Sequence, residues 1–193
     1  SPYGVSKVAG FFLTKNYREA YDMFACSGIL FNHESPRRGK EFVTRKITMG
    51  IAKILSGEER FIRLGNLDAE RDWGYAPDFV KGMRKVLAIG KPDDYIFCTG
   101  EKHSVKEFLE ICCKKVGLDF NRVYVVDERF MRPAEVDKLL GDYSKARKDL
   151  GWEPSVSFDE MIEKMLLSDL SRAGLDADKY FTLGLEVRAC LRS

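Results

Sequence analysis

Tyr3 and Lys7 open the chain in the pattern Tyr-x-x-x-Lys, and Asn32-His-Glu-Ser-Pro-Arg-Arg-Gly39 follows some 25 residues later. Four apart on a helix, a phenol and an ammonium share one face. A neighbouring positive charge favours the phenolate, and a phenolate is a usable base near neutrality. Two residues are a small signal, and a surface Tyr and Lys at that spacing is the plain alternative. In the second stretch Arg37 and Arg38 sit between Pro36 and Gly39, a stiff cationic loop able to meet phosphate. Its plain alternative is a solvated charged patch, with His33 and Glu34 an ordinary loop pair.

The elements that would position these groups follow from pattern. Ser1 can cap a helix, and Pro2 suits its first turn, where a missing N–H costs nothing. Val8, Phe11 and Phe12, with Ala9, Leu13, Tyr17 and Ala20, recur at three and four, which predicts an amphipathic helix over residues 3–21. Residues 24–31 are a compact apolar run without alternation, predicting a strand buried on both faces of a parallel sheet. A helix over 43–55 should close at Ser56-Gly57. Short strands are expected at 61–64, 71–75, 95–98 and 123–126, and a helix opening at Pro77 or Asp78. Ser104 and Glu107, then Ser157 and Glu160, have capping-box spacing ahead of apolar-periodic runs. Asp142 is a candidate cap for a short helix that stops at Gly151. This alternation of strands and helices predicts an α/β fold.

Composition narrows the function. The chain has 193 residues, enough for one domain with a respectable core. Its 45% hydrophobic and 32% charged content is that of a globular protein. A net charge of +2 argues against nucleic acid and anionic membranes as partners, so anion binding must be local. No apolar run approaches the 18 or so residues of a membrane span, and no secretory leader is visible, so a cytoplasmic location is expected. Five Cys, two of them adjacent, form neither a disulfide framework nor a metal knuckle, and with two distant His no metal site is expected.

Several segments carry a resemblance. Ser-Pro-Tyr-Gly-Val-Ser-Lys7 is similar to the active-site helix of extended short-chain dehydrogenases/reductases. The 29–39 segment with Phe42-Val-Thr-Arg-Lys46, the 64–74 segment Leu-Gly-Asn-Leu-Asp-Ala-Glu-Arg-Asp-Trp-Gly, and Arg132-Pro-Ala-Glu135 together resemble GDP-mannose 4,6-dehydratase over residues 1–170. The resemblance implies the carboxy-terminal part of an NAD(P)-binding Rossmann-type fold together with its sugar-nucleotide-binding domain. Residues 1–38 would end the Rossmann-type domain. Residues 39–170 would be mainly the sugar-nucleotide region, with some elements returning to the first domain, and 171–193 is an atypical tail.

The implied reaction converts GDP-mannose to GDP-4-keto-6-deoxymannose with NADP as internal hydride carrier. Tyr3 would be the base at the C4 hydroxyl, with Lys7 beside it. Tyr3, Lys7, His33 and Arg38 would hold NADP; Asn32, Val43, Lys46, Arg71, Arg132 and Glu135 would hold GDP-mannose. A homo-oligomer, dimer or tetramer, is implied for the complete protein. Two positions depart from the pattern: Tyr75 where His is usual and Phe79 where Tyr is. A Gly-rich phosphate loop, Gly-x-Gly-x-x-Gly, is not found, and in the family it lies upstream with a catalytic Ser or Thr and Glu. This chain alone is therefore expected to be inactive. The alternatives are a truncated remnant that only binds nucleotide or associates with a subunit, and a related sugar-nucleotide dehydratase or epimerase.

Overall fold

A computed structural model describes residues 1–131 and 138–181. Helix α1 (Pro2–Tyr21) starts where the Ser1 hydroxyl accepts from the Gly4 amide and ends at Asp22, which turns left-handed. The helix is as the periodicity predicts, but none of its residues is buried, and Phe12 and Leu13 remain 60% exposed. Arg18 ties it to the body through a two-oxygen ion pair with Asp94, at 2.9 and 2.7 Å.

The expected strand over 24–31 is shorter and barer than its composition suggests. Only β1 (Gly28–Leu30) forms, pairing in parallel with β6 (Tyr95–Phe97), while Phe24 and Ile29 stay exposed. An apolar run reports a strand that needs cover; the described residues supply a neighbour along one edge only. Strand β2 (Asn32–Glu34) follows directly and pairs in parallel with β5 (Trp73–Tyr75). Strand β3 (Ile62–Leu64) runs parallel to β8 (Tyr124–Val126), and β4 (Glu70–Arg71) antiparallel to β7 (His103–Ser104).

The main core lies among α2 (Val43–Ser56), α4 (Val105–Val116) and α6 (Phe158–Arg172). Ile47 and Ile51 of α2, Phe108 and Leu109 of α4, and Met161, Ile162 and Leu166 of α6 are fully buried there. Their three-and-four spacing places them on the inner faces. Helix α2 presses on β3 because Gly50 has no side chain: a Cβ there would lie 2.5 Å from Ile62 Cγ1. A second cluster packs Phe79 and Val86 of α3 (Ala76–Leu87) against Tyr95 and Phe97 of β6, with Ala146 of α5 (Ser144–Leu150) and Trp152.

The caps separate two similar sequences. Ser157 and Glu160 form both halves of a capping box. Ser104 accepts from the Glu107 amide, but the Glu107 carboxylate is turned to His103 Nδ1 at 3.0 Å, so only half the box exists. Asp142 accepts from the Ser144 amide at the start of α5, and α3 opens at Ala76, one residue before Pro77.

A polar link between α2 and α6 crosses the main core. Arg45 on α2, 5% exposed, grips Asp169 on α6 through Nε, at 3.0 and 2.8 Å to its two oxygens, and Thr48 donates to the same carboxylate. Arg45 Nη1 then reaches the carbonyls of Pro36 at 2.6 Å and Arg38 at 3.1 Å. A buried charge pair in the bundle thus fixes the backbone of the 35–42 loop.

Candidate functional site

A cavity of about 660 Å³ opens where α1, the end of β2, the 35–42 loop, the start of α2, the 64–66 turn and β4 come together. Tyr3, Asn32, Arg38, Val43, Lys46 and Arg71 all line it. Lys7 is one turn along α1 from Tyr3, its Nζ 5.4 Å from the phenol ring centroid, so the pair shares a face of the helix. His33 is not among the lining residues. It sits between Asn32 and Glu34 on β2, where alternate side chains face opposite ways. Its Nδ1 lies 2.8 Å from the Phe31 carbonyl and its ring 5.4 Å from that of Phe79. Arg38 therefore shares the cavity with Asn32, whereas His33 looks away from it. Arg132 and Glu135 lie outside the described residues.

The charge distribution is built by specific partners. Glu34, 1% exposed, accepts the Thr44 hydroxyl at 2.5 Å and lies 3.2 Å from Arg38 Nε. That nitrogen is buried and makes no hydrogen bond, so its pairing with Glu34 is one of proximity and charge. The Arg38 guanidinium also stacks 3.6 Å over the Phe42 ring. Lys46 Nζ lies 3.3 Å above the ring of Phe130. Burial pulls its pKa below the ordinary lysine value, against Asp127 and Glu59, which act the other way.

Arg71 stands next to Asp72, a fully buried carboxylate that accepts from the Thr99 amide and hydroxyl and from the amides of Gly100 and Gly141. Those donors fix the backbone from which Arg71 projects. Gly65 supplies the opposite wall. A Cβ there would meet the Phe130 carbonyl oxygen at 2.4 Å, so only glycine lets the two backbones approach.

A second cavity, about 600 Å³, adjoins the first, and Lys46 and Phe130 belong to both. Its lining includes Lys40, Lys53, Arg60 and Arg63, with Glu59 as its one carboxylate, held by Lys53 at 2.6 Å. Two neighbouring cavities, the second with this cation excess, suit a ligand that carries several negative charges. At Cys98 and Cys113 thiol chemistry is disfavoured, because burial pushes both up to about 12. Among the described residues no group of three His, Cys, Asp or Glu could hold a metal ion, and no helix is long and apolar enough to cross a membrane.

Sequence reading alone did not single out Glu34, Thr44 or Phe130. Glu34 had a signal available, since period-two alternation puts it on the same side of β2 as Asn32. Phe130 had none, because its place against Gly65 and Lys46 is set by chain contacts between distant segments.

Comparison with known proteins gives a consistent answer. Residues 1–165 match the family described as GDP-mannose 4,6 dehydratase. GDP-mannose 4,6 dehydratase 2 of Arabidopsis thaliana is 51% identical over 173 residues, covering 90% of this chain and 46% of that protein. GDP-mannose 4,6-dehydratase of Vibrio cholerae serotype O1 is 42% identical over 200 residues, 90% of this chain and 54% of its own length. The chain thus spans about half the length of the relatives it matches. Among solved structures, RMD from Pseudomonas aeruginosa complexed with NADPH superposes with a TM-score of 0.81 at 24% identity, over 89% of this chain and 57% of that one. A UDP-glucose 4-epimerase from Thermotoga maritima, with UDP-glucose, gives 0.73 at 26%, over 91% and 55%. These likenesses establish the fold as the Rossmann-type extended short-chain dehydrogenase/reductase fold with its sugar-nucleotide-binding region.

Proposed function

Because this chain belongs to the GDP-mannose 4,6-dehydratase family, we propose that the whole protein converts GDP-mannose to GDP-4-keto-6-deoxymannose. The observation that carries the reading is the meeting of Tyr3, Asn32, Arg38, Lys46 and Arg71 around one cavity, from segments spread over 69 residues of chain. A sugar nucleotide needs cations for its diphosphate and polar groups for its hydroxyls. Lys46 and Arg71 are assigned the first task, with Arg132, and Asn32, Val43 and Glu135 the sugar and nucleoside contacts. The adjoining cation-lined cavity extends the space available to a ligand longer than a free sugar.

Tyr3 is assigned to take the proton from the C4 hydroxyl as the sugar is oxidised, and Lys7, on the same helix face, supplies the neighbouring positive charge. NADP is the proposed cofactor, and when bound it supplies the hydride acceptor and donor of a redox-neutral dehydration. The residues present fit such a group: Arg38 lines the cavity with its Nε turned to Glu34, and its guanidinium is a cation suited to a phosphate. Tyr3 and Lys7 join the cofactor set in this reading; His33, which faces away from the cavity, is assigned to it by resemblance alone.

The apolar face of α1 favours a second role for the same chain, that of a subunit-association element in a homo-oligomer. A cytoplasmic location fits both roles. The test is turnover of GDP-mannose by the whole protein, followed as formation of the 4-keto product. Product is expected with the whole protein and none with the 193 residues alone. Absence of product with NADP supplied to the whole protein overturns the catalytic reading and leaves the association role.

A further inference from the structure

The 35–42 loop presents Arg38 to the cavity, and three groups hold that side chain and its backbone. Arg45 clamps the Pro36 and Arg38 carbonyls, the Phe42 ring lies 3.6 Å beneath the guanidinium, and Glu34 sits 3.2 Å from Nε. The first two are ordinary packing and backbone satisfaction. The third is not, because Glu34 is 1% exposed and the Thr44 hydroxyl alone gives it a hydrogen bond at 2.5 Å. Arg38 Nε, for its part, is buried without a hydrogen bond.

We propose that Glu34 is a positioning residue: its carboxylate, aimed by Thr44, holds the Arg38 guanidinium against the cavity so that it meets a phosphate-bearing ligand already oriented. This rests on the sugar-nucleotide reading of the cavity, and adds to it a residue which touches no ligand itself. The ligand chemistry is a phosphate ester, from the cofactor or from the nucleotide sugar. An Arg side chain has several rotatable bonds, and fixing them before the ligand arrives lowers the cost of binding.

The energetics of Glu34 support a functional rather than a structural reason for the carboxylate. Burial, opposed by Thr44, Arg38 and His33, raises its pKa above the ordinary glutamate value. A carboxyl group raised in the folded state contributes stability below its unfolded pKa and loses it as pH rises through the folded one. The charged form is therefore the one that the fold disfavours. Gln could accept from Thr44 just as well, without that cost.

The experiment is a double-mutant cycle in the whole protein, with NADPH and GDP titrated separately by fluorescence and calorimetry and melting followed in parallel. Arg38→Ala is expected to weaken one of the two ligands by about tenfold or more, the loss of a charge-assisted contact. Glu34→Gln is expected to weaken the same ligand by roughly three- to tenfold, spare the other within about twofold, and melt no lower than the parent. The double variant should bind no worse than Arg38→Ala alone. Losses that add, a Glu34→Gln effect on the ligand that Arg38→Ala spares, or a lower melting temperature with unchanged binding would each overturn the proposal. Should E34Q not fold, E34D, which draws the charge back by one methylene, makes the same comparison under the same criteria. If Arg38→Ala weakens neither ligand, the phosphate reading of the loop falls and Glu34 with it; if only Glu34→Gln is silent, the inference alone falls.

Discussion

Helix α1 and the α2/α4/α6 bundle are built from the same sequence pattern and come out as opposites. Both repeat apolar residues at three and four. In the bundle Phe108 and Leu109 are completely buried, whereas in α1 Phe12 and Leu13 stay 60% exposed and no residue is buried at all. The bundle draws its stability from packing. Helix α1 is held to the body by Arg18 and Asp94 and by the chain that leaves it, and it carries the Tyr3/Lys7 pair to the rim of the cavity. Periodicity says that a helix has an apolar face. It does not say whether the chain in hand supplies the partner. Helix α1 is thus the exposed region and the bundle the packed one, although α2 also sends Val43 and Lys46 to the cavity.

Substitutions can break that division. The largest effect is expected at Tyr3→Phe in the whole protein: turnover should fall by about 10²–10⁴-fold, with GDP-mannose affinity and melting nearly unchanged. Steady-state kinetics near the parent value would remove the proton-transfer role from α1. Next comes Phe108→Ala, which should cost about 3–5 kcal/mol in denaturant unfolding by leaving a cavity in a fully buried site. A loss under about 1 kcal/mol would mean that the bundle is not where stability resides.

Acid should separate the two regions at a smaller scale. The Arg18 guanidinium, hydrogen-bonded to Asp94, outweighs burial and holds that carboxyl down at about 2. An acid depressed in the fold adds stability above its unfolded pKa, near 4, and the contribution disappears as pH falls through the folded value. Screened by solvent, the pair is worth about 1 kcal/mol. Amide exchange measured between pH 4 and 2 should quicken at the end of α1 before it does in α4; simultaneous loss would contradict the division. The smallest effect is expected at Leu13→Lys, which should move the stability of this chain by no more than about 0.5 kcal/mol. A loss comparable to that at Phe108 would show that α1 is packed after all.

Much of this was legible beforehand, for reasons that can be named. The helices over α1, α2 and α6 follow from spacing and from Ser1, Gly57 and Ser157 at their ends. The meeting of Tyr3, Asn32, Lys46 and Arg71 was not derivable from spacing and came from resemblance to a family. Strand β1 was misjudged in length because an apolar run reveals the need for cover and not its source. Glu107 was misjudged as a reciprocal cap because His103, one residue before the cap, competes for its carboxylate. His33 and Asn32 face opposite ways, which alternation in β2 required from the outset. Arg132 and Glu135 lie outside the described residues and their assignment rests on resemblance alone.

The Arg45 clamp also bears on the order in which the molecule assembles. Arg45 and Asp169 are 124 positions apart, and Pro36 receives Arg172 from 136 positions away. Contacts of such separation form late, because closing a long loop precedes any return from it. Arg45 reaches the Pro36 and Arg38 carbonyls from nine and seven residues away, but Asp169, which orients its guanidinium, and Arg172, the second donor to Pro36, come into place only once α2 and α6 have met. On refolding, the final shape of the 35–42 loop is therefore among the last features to appear, after local helix has formed. Recovery of nucleotide binding should follow the slowest phase of the helix signal and not its first rise.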